Sequence, residues 1–244
     1  MHIIRSNYGN NSLALIQWAC EQALENVTVI YVDTGWAAQG WLEHVAVCES
    51  WVEKKGFNVV HLTPSTPFED VMEMKGGFPS RERQWCSLHL KGIPFLKWVE
   101  EVDPQDAAII LTPKTTVDTN FDDVPEYIEC CEYHGERRVW QPLYGHSRTQ
   151  RDALLTRAQV TPLPHRSLEC SPCINSTVAE LRSLSESDIE KTEELEEELA
   201  STLFRPQDCG NARGIRQVVE WAKQSENGAL NFKYGCSASF GCGA

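Results

Sequence analysis

Two cysteines separated by two residues, Cys170 and Cys173, form the most specific chemical pattern in the sequence. Thiolates at this spacing are typical ligands of zinc and of iron–sulfur clusters, because both favour soft donors. Cys86, in a polar loop earlier in the chain, can supply a third thiolate. The spacing alone leaves three interpretations open: a cluster, a structural zinc site, or reduced cysteines that hold no metal.

A short glycine-bearing turn near the start of the chain has the composition of an anion-binding site. It runs from residue 6 to residue 12, between an apolar strand and an amphipathic helix. Small residues let the backbone approach a phosphate, and a helix start directs free N–H groups and a positive dipole end toward it. The alternative is an ordinary capped turn without a ligand. The candidate contacts are Asn7, Tyr8, Gly9, Asn11 and Ser12.

A further candidate contact follows the second apolar strand, which ends in Asp33, Thr34 and Gly35. Asp33 at the tip of that strand is placed to face a nucleotide, and the alternative is that it caps the next segment. Thr34 and Gly35 would shape the adenine or ribose pocket with their backbone.

Strands and helices alternate along the first part of the chain. Apolar runs predict five strands, near residues 1–5, 27–33, 58–62, 107–112 and 138–143, with helices between them. This alternation predicts an α/β fold with a doubly wound, mostly parallel five-stranded sheet, whose ligands bind beyond the carboxyl ends of the strands. We expect residues 1–180 to form a nucleotide-binding α/β domain. Residues 181–244 are expected to add a helical extension and a cysteine-bearing tail, packed on the same core.

Composition and charge favour an ordinary globular protein in the cytoplasm. The chain of 244 residues is 41% hydrophobic and 23% charged, and no apolar run approaches the length that crosses a membrane. Ten cysteines are many for such a protein, and in a reducing compartment they favour metal or redox use over disulfides. A net charge of −13 argues against general nucleic-acid binding, although a local basic groove is compatible with it.

In their order along the chain, these motifs resemble those of the phosphoadenosine phosphosulfate (PAPS) reductase family, within the PP-loop or adenine-nucleotide α-hydrolase superfamily. The turn ending at Ser12 resembles the family's Ser-Gly-Gly-Lys-Asp-Ser loop, and Asp33-Thr-Gly resembles its second-strand Val-Asp-Thr-Gly. The resemblance covers about residues 1 to 180. Three later segments also match, namely Cys86 with Lys91 and Pro94 (Cys-Cys…Lys…Pro), Pro142-Leu143 (Tyr-Pro-Leu) and Cys170-Ser-Pro-Cys173-Ile174 (Gly-Cys-x-x-Cys-Ile).

The resemblance implies a PP-loop/HUP-like fold and an adenine nucleotide, either ATP or the sulfonucleotides APS and PAPS. It also implies a [4Fe-4S] cluster beside the nucleotide, with Zn²⁺ as the alternative metal. The ATP-dependent members also use Mg²⁺. The implied cluster ligands are Cys86, Cys170 and Cys173, with Cys242 or Cys236 as the fourth ligand, or with an open fourth iron that binds sulfide.

Two reactions follow from the resemblance. In the reductase form, a tail thiolate, here Cys236 after Lys233, attacks the sulfur of a sulfonucleotide, and a thioredoxin-like reductant then frees sulfite. In the ATP form, the enzyme cleaves ATP between the α and β phosphates and activates an acceptor, such as a base in nucleic acid, for sulfur transfer. Lys91 occupies the position of the family's lysine and is the second catalytic candidate. Relatives often form homodimers.

The sequence also departs from the family pattern. Asn10 and Asn11 replace the lysine and aspartate of the loop, and Lys114 stands where the family has an arginine. These departures motivate an alternative: a catalytically lapsed module that binds a nucleotide or metal as a regulator or partner. Four arginines are further hypothetical anion contacts on charge alone, with an ordinary solvent-exposed surface role as the alternative. They are Arg81, Arg83, Arg137 and Arg138.

Overall fold

The computed structural model of the protein describes residues 1–114 and 125–225, and it has the predicted α/β architecture. Six strands form one sheet in the order β3-β2-β1-β4-β6-β5, and every pair is parallel except β5 with β6. The strands are β1 (His2–Arg5), β2 (Val27–Val32), β3 (Asn58–Leu62), β4 (Ile109–Leu111), β5 (Tyr127–Cys131) and β6 (Arg137–Trp140).

The prediction of five strands was wrong by one. The edge strand β5 lies in a segment that the sequence indicates as a polar connection. Its side chains are exposed or half-buried, so it lacks the apolar run that marks the central strands. It pairs with β6 through an irregular register between Ile128 and Cys131, which also breaks the regular alternation of a strand.

Helices cover both faces of the sheet. The α-helices are α1 (Asn10–Glu21), α2 (Trp41–Lys54), α3 (Phe68–Lys75), α4 (Trp85–Ser87), α5 (Ile93–Val102), α6 (Arg148–Arg157), α7 (Val178–Arg182), α8 (Glu186–Glu198) and α9 (Ile215–Gln224). A π-helical turn, Leu88–Gly92, joins α4 to α5.

Successive side chains of the central strands point to opposite faces of the sheet and pack into two separate apolar layers. On one face, Ile4, Val29 and Leu111 pack with residues of α1, α2 and α6. On the other face, Ile3 and Ile110 and their neighbours pack against α5. Because the strands are buried on both faces, they read as continuous apolar runs, as parallel strands do.

The helical C-terminal part has an apolar cluster of its own. Residues between Ile174 and Ala222, from α7, α8, α9 and the segments that join them, pack together. Phe78, Cys86 and Cys173 pack against this cluster from the side of the sheet domain. Within the described residues, no helix is long and apolar enough to cross a membrane.

The strand order places a topological switch between β1 and β4. The chain runs outward from β1 through β2 to β3, then returns to the other side of β1 with β4. Ligands of open α/β sheets bind beyond the carboxyl ends of the strands at such a switch. The turn after β1, the residues after β2 and Lys114 after β4 all lie at this edge.

Candidate functional site

The turn between β1 and α1 is held in shape by its own side chains. The N–H of Asn7 donates to Ser12 Oγ at 3.3 Å, that of Tyr8 to Ser6 Oγ at 3.0 Å, and that of Gly9 to Asn7 Oδ1 at 3.0 Å. Ser12 Oγ in turn donates to Asn7 Oδ1 at 2.7 Å. Helix α1 begins at Asn10, directly after this turn, and the positive end of its dipole favours an anion at that place.

Tyr8 contributes backbone geometry rather than a side chain to this turn. Its φ of 53° is in the left-handed region, and its ring is fully buried, 5.7 Å from the ring of Tyr31. Burial is the main cause that raises the pKa of the Tyr8 hydroxyl well above its ordinary value. Among the predicted nucleotide contacts, Tyr8 therefore faces the core with its side chain.

The segment that contains the cysteine motif packs directly on the turn. Asn7 Nδ2 donates to Ser167 Oγ at 2.9 Å and to Glu169 Oε1 at 3.4 Å. A Cβ at Gly9 would lie 3.2 Å from Asn7 Oδ1 and 3.5 Å from Ser167 Cβ, so the position favours glycine because of this close approach. The structure thus brings together two motifs that lie about 160 residues apart in the chain.

A cavity of about 560 Å³ opens at the start of α1 and is rich in arginine. Gly9, Asn10 and Asn11 form one wall, and Arg148, Arg151 and Arg166 lie on the others. Guanidinium groups and the positive end of a helix both favour phosphate-like anions. The cavity therefore has the chemistry of an anion site, at the place where the sequence predicts phosphate binding.

The arginines of the cavity are held by neighbouring side chains. Arg151 Nη1 donates to Asn11 Oδ1 at 3.1 Å, and its Nη2 lies 2.7 Å from Asp152 Oδ1. Arg166 contacts both oxygens of Glu180, at 2.7 and 2.8 Å. Burial alone would raise the pKa of Glu180, but the pairing with Arg166 and hydrogen bonds from Thr177 outweigh it, and the pKa is lowered. Arg148, the first residue of α6, is exposed.

These three arginines were missed by the sequence analysis, which considered Arg81, Arg83, Arg137 and Arg138 instead. The prediction for Arg137 was wrong, because its side chain is fully buried and ion-paired with Asp103 and Asp106, at 2.7 Å each. Arg81 donates to the carbonyl of Ile174, on the C-terminal cluster, at 3.0 Å.

A local sequence pattern could have indicated two of the three arginines that line the cavity. Ser147 begins α6 with a capping box, and Arg148 and Arg151 follow at a spacing of three residues. Residues three apart share one face of a helix, so both arginines point to the same side. Arg166 has no comparable pattern, because only the tertiary fold brings it to the cavity.

Lys91 forms a buried ion pair with Glu169. The Lys91 Nζ lies 2.8 Å from Glu169 Oε1, and each residue is 5% exposed. Lys91 belongs to the π-helical turn before α5, and such turns are frequent at functional sites. Burial and the Glu169 carboxylate also raise the pKa of the neighbouring Tyr31. Lys91 thus lies beside both the turn and the cysteine loop.

Asp33 lies in a local turn and does not cap a helix, because the next helix, α2, begins after Gly40. Its backbone N–H donates to the carbonyl of Leu62 at 2.8 Å, continuing the ladder between β2 and β3. Its Oδ1 accepts a 3.0 Å hydrogen bond from the N–H of Gly35, whose φ of 70° suits glycine. Asp33 is half-buried at the strand tip, and Gly35 is exposed.

Thr34 and Trp36 join this strand tip to the cysteine loop. Thr34 Oγ1 donates to the carbonyl of Glu169 at 2.6 Å, and the N–H of Ser171 donates to the carbonyl of Trp36 at 2.7 Å. The indole N–H of Trp36 donates to the carbonyl of Pro172 at 3.0 Å. Residues 34–36 and 169–172 are therefore one hydrogen-bonded unit.

The three cysteines of the proposed metal site lie in one region. Cys86 packs against the apolar cluster around Trp36 and Phe68, as Cys170 does, and also against the C-terminal cluster, as Cys173 does. All three are half-buried thiols outside any disulfide. Residues 1–114 and 125–225 contain no group of three His, Cys, Asp or Glu side chains arranged as metal ligands.

The donor set nevertheless suits a thiolate-bound centre. The N–H of Asn175 donates to Cys173 Sγ at 3.4 Å, and hydrogen bonds to sulfur are one of the means by which proteins tune such centres. Lys191 Nζ lies 3.5 Å from the centre of the Trp36 ring, and the charge of Cys170 acts on it. Burial lowers the pKa of Lys191 and is the largest cause of this shift. Sequence analysis did not identify Lys191.

Part of the predicted site lies outside the described residues. The proposed nucleophile Cys236 with Lys233 and the fourth ligand candidate Cys242 are in this category. Lys114 is described, and it is half-buried after β4, where burial lowers its pKa.

Comparison with known proteins gives matches among solved structures, whereas no protein-family model and no curated sequence matches the chain. One similar structure is the phosphoadenylyl-sulfate (PAPS) reductase from Candida auris, solved as a phosphate complex. It is 13% identical with a TM-score of 0.46, and the match covers 66% of this chain and 74% of that one. Another is the U34-tRNA thiolase NcsA from Methanococcus maripaludis with its [4Fe-4S] cluster, 13% identical with a TM-score of 0.46, covering 91% of this chain and 71% of that one.

At this identity the likeness concerns the fold alone, and the arguments below rest on the residues of this chain.

Proposed function

We propose that the protein is an adenine-nucleotide-dependent enzyme of sulfur metabolism. The observation that supports this most strongly is the arginine-rich cavity at the start of α1. Its anion-binding chemistry suits the phosphates of a nucleotide, and Asn7 connects its wall to the segment that leads into the cysteine motif. An anion site and soft sulfur ligands in one region are what a sulfur-transferring nucleotide enzyme requires.

In this proposal the phosphates lie between the helix start and the arginines. The N–H groups of residues 10–12 and the guanidinium groups of Arg148 and Arg151 offset the charge of the bound nucleotide. Fixed donors of this kind also stabilise negative charge that develops during phosphoryl or sulfuryl transfer. Asp33, Thr34 and Gly35 then lie at the nucleoside side of the pocket.

A [4Fe-4S] cluster would be held by Cys86, Cys170 and Cys173. When bound, it would supply either a redox-active or a sulfide-binding centre. Lys91 keeps a positive charge between this region and the turn, where its ion pair with Glu169 holds the two segments together. The proposal also includes a fourth cluster ligand from the tail, Cys242 or Cys236, and Cys236 as the nucleophile of the reductase form. Its nucleotide is either a sulfonucleotide or ATP.

A second candidate function is supported by the turn itself. Its amides at residues 7–9 are bonded to the turn's own side chains, and the lysine and aspartate of the family loop are asparagines here. Such a turn would hold a nucleotide without helping to cleave it. The protein would then act as a regulatory or partner module that binds a nucleotide or metal.

Binding and turnover measurements separate these functions. Anaerobically purified protein is titrated calorimetrically with ATP, APS, PAPS, AMP and pyrophosphate, and is then incubated with each under a dithiol reductant. Sulfite release identifies reduction, and AMP with pyrophosphate identifies α–β cleavage. Binding without product would support the regulatory module instead.

Arg151→Gln is the decisive variant, and Arg213→Gln is its control. Arg213 is exposed and outside the cavity. We expect Arg151→Gln to weaken nucleotide binding about tenfold, in line with the loss of one charge-assisted hydrogen bond. The control should bind like the wild type. No measurable binding of any of the five compounds by the wild-type protein would refute the proposal.

A further inference from the structure

A second cluster of reactive side chains lies away from the arginine-rich cavity, where β5 ends. Cys131 Sγ lies 3.1 Å from His134 Nδ1, and His134 Nε2 lies 3.2 Å from Arg5 Nη1. Lys114 is close enough for its charge to act on both Cys131 and His134. Cys131 is half-buried and therefore accessible, whereas His134 is only 5% exposed.

The chemistry of arginine fixes the tautomer of His134. A guanidinium group carries only donors, so Arg5 must donate and His134 Nε2 must accept. Burial, with the charges of Arg5 and Lys114, keeps the pKa of His134 well below its ordinary value, so the ring is neutral. A neutral ring with Nε2 as acceptor carries its proton on Nδ1, and Nδ1–H therefore donates to Cys131 Sγ.

The cluster holds this arrangement rigidly. The Arg5 guanidinium lies 4.6 Å from the centre of the Phe95 ring, and the Phe95 and His134 rings are 6.0 Å apart. The sulfur of Cys131 thus receives an N–H hydrogen bond from His134 and lies near one cation, Lys114. A hydrogen-bond donor to sulfur and a nearby cation are features that reactive cysteines share.

The neighbouring Cys130 provides a natural contrast. Its Sγ donates a 2.7 Å hydrogen bond to Glu136 Oε2, which raises the pKa of the Cys130 thiol. The two adjacent cysteines therefore have opposite surroundings: an acceptor anion for Cys130, and an N–H donor with one nearby cation for Cys131.

We propose that Cys131 is a nucleophilic thiol that exchanges with low-molecular-weight disulfides bearing carboxylates. The Cys131 thiolate attacks one sulfur of the disulfide, the S–S bond of the reagent breaks, and the second half leaves as a thiolate. The product is a mixed disulfide on Cys131, and no electrons beyond those of the exchanged bond are needed. Lys114 attracts the carboxylates. This site does not depend on the nucleotide proposal.

The test compares two disulfide reagents on the full chain at pH 7. One is 5,5′-dithiobis(2-nitrobenzoic acid), which carries two carboxylates, and the other is the neutral 4,4′-dithiodipyridine. The rate at each cysteine is followed by quenching and peptide mass mapping. We expect Cys131 to react with the anionic reagent at least about tenfold faster than Cys130, although Cys130 is the more exposed.

Two variants test the origin of the reactivity. His134→Gln should slow Cys131 with both reagents about tenfold, because the donor to sulfur and the tautomer are lost. Lys114→Gln should slow the anionic reagent more than the neutral one. The buried Cys48 is the control for folding, because it should react only if the protein unfolds. If Cys48 is labelled in His134→Gln, that variant is unfolded, and the test then depends on Lys114→Gln.

Equal rates at Cys130 and Cys131 in the wild type would overturn the proposal. An unchanged ratio between the two reagents in a folded Lys114→Gln would overturn the role of the cation. A Cys130→Ser variant is the matched control, and it should leave the rate at Cys131 within about twofold.

Discussion

The ammonium group of Lys91 lies 2.8 Å from the carboxylate of Glu169, and both residues are almost fully buried. Glu169 also accepts hydrogen bonds from Asn7 and Ser167, at 3.4 Å each. One carboxylate therefore joins the turn after β1, the π-helical turn before α5 and the segment before the cysteine motif.

Removing one member of this pair should destabilise the protein strongly. We expect Lys91→Met and Glu169→Gln each to cost about 3 kcal/mol of unfolding free energy, because each leaves a buried polar group without its charge partner. The double variant should cost less than the sum of the two. Urea unfolding at pH 7 measures all three, and strictly additive losses would show that the pair acts independently.

The proposed cluster predicts a defined metal content. Anaerobically purified protein should contain about four irons per chain with equivalent acid-labile sulfide. Cys86→Ser and Cys173→Ser should lose them, whereas Cys20→Ser should not, because Cys20 lies on α1. Iron and sulfide assays with an absorption spectrum provide the measurement. Zinc without sulfide would indicate a structural zinc site instead of a cluster. Cys236→Ser and Cys242→Ser test the tail: loss of a ligand should remove the iron, whereas loss of a nucleophile should leave it in place.

Adjacent arginines on β6 offer a matched comparison of buried and exposed charge. Arg137 is fully buried between Asp103 and Asp106, whereas Arg138 is exposed. Arg137→Met should lower the unfolding free energy by about 3 to 5 kcal/mol, since it leaves Asp103 without its ionic partner. Arg138→Met should change it by less than about 0.5 kcal/mol. Similar losses in chemical denaturation would contradict the structural role assigned to Arg137.

His134 should make stability depend on pH below about pH 6.5. Its pKa is lowered well below the ordinary 6.5, so the unfolded chain binds a proton there at a pH where the folded chain does not. The stability contribution is therefore complete above pH 6.5 and is lost as the pH falls below it, by at most about 1.4 kcal/mol per pH unit.

Urea unfolding at pH 7.5, 6.5 and 5.5 checks the sign and the size. Arg5, Lys114 and Cys131 face His134, and none of them reverses the sign, because the cations also oppose a charge on the ring. His134→Gln should flatten the pH dependence, and the exposed His165→Gln should leave it unchanged. An identical pH slope in His134→Gln and the wild type would contradict the assignment.

Glu196 should be essential to the C-terminal helices. Its two oxygens accept from the N–H of Leu203 at 2.9 Å and of Ile215 at 2.7 Å, and burial raises its pKa. Glu196→Ala should cost about 2 to 4 kcal/mol, since two buried N–H groups lose their acceptors, and Glu196→Gln should cost less because one oxygen remains. Thermal unfolding of the two variants tests this order, and the reverse order would rule out the explanation.

Local pattern was sufficient for the parts of the fold that are strongly apolar. The runs ending at Arg5, at Val32 and at Leu111 are central parallel strands, and the helical spacing of Trp41, Val45, Cys48 and Val52 gives the buried face of α2. The edge strand β5 was missed because exposed edge positions carry no apolar repeat.

The site was predictable only where its residues are neighbours in sequence. The turn at residues 7–12 and the pair Cys170 and Cys173 follow from composition and spacing. Arg166, Glu169 and Lys191 reach the site through tertiary packing, and no spacing in the chain indicates them. Arg137 was misassigned because a buried arginine and a ligand-binding arginine look alike in sequence.

The hydrogen bonds between residues 34–36 and 169–172 have a thermodynamic consequence. Under the proposed function, a nucleotide at the first segment and a metal at the second would bind to one unit, and each would then change the free energy of binding the other. Such linkage is reciprocal: the factor by which metal loading changes nucleotide affinity equals the factor by which the nucleotide changes metal affinity. The oxidation or loss of a metal at the cysteines would thus be read directly as a change in nucleotide occupancy.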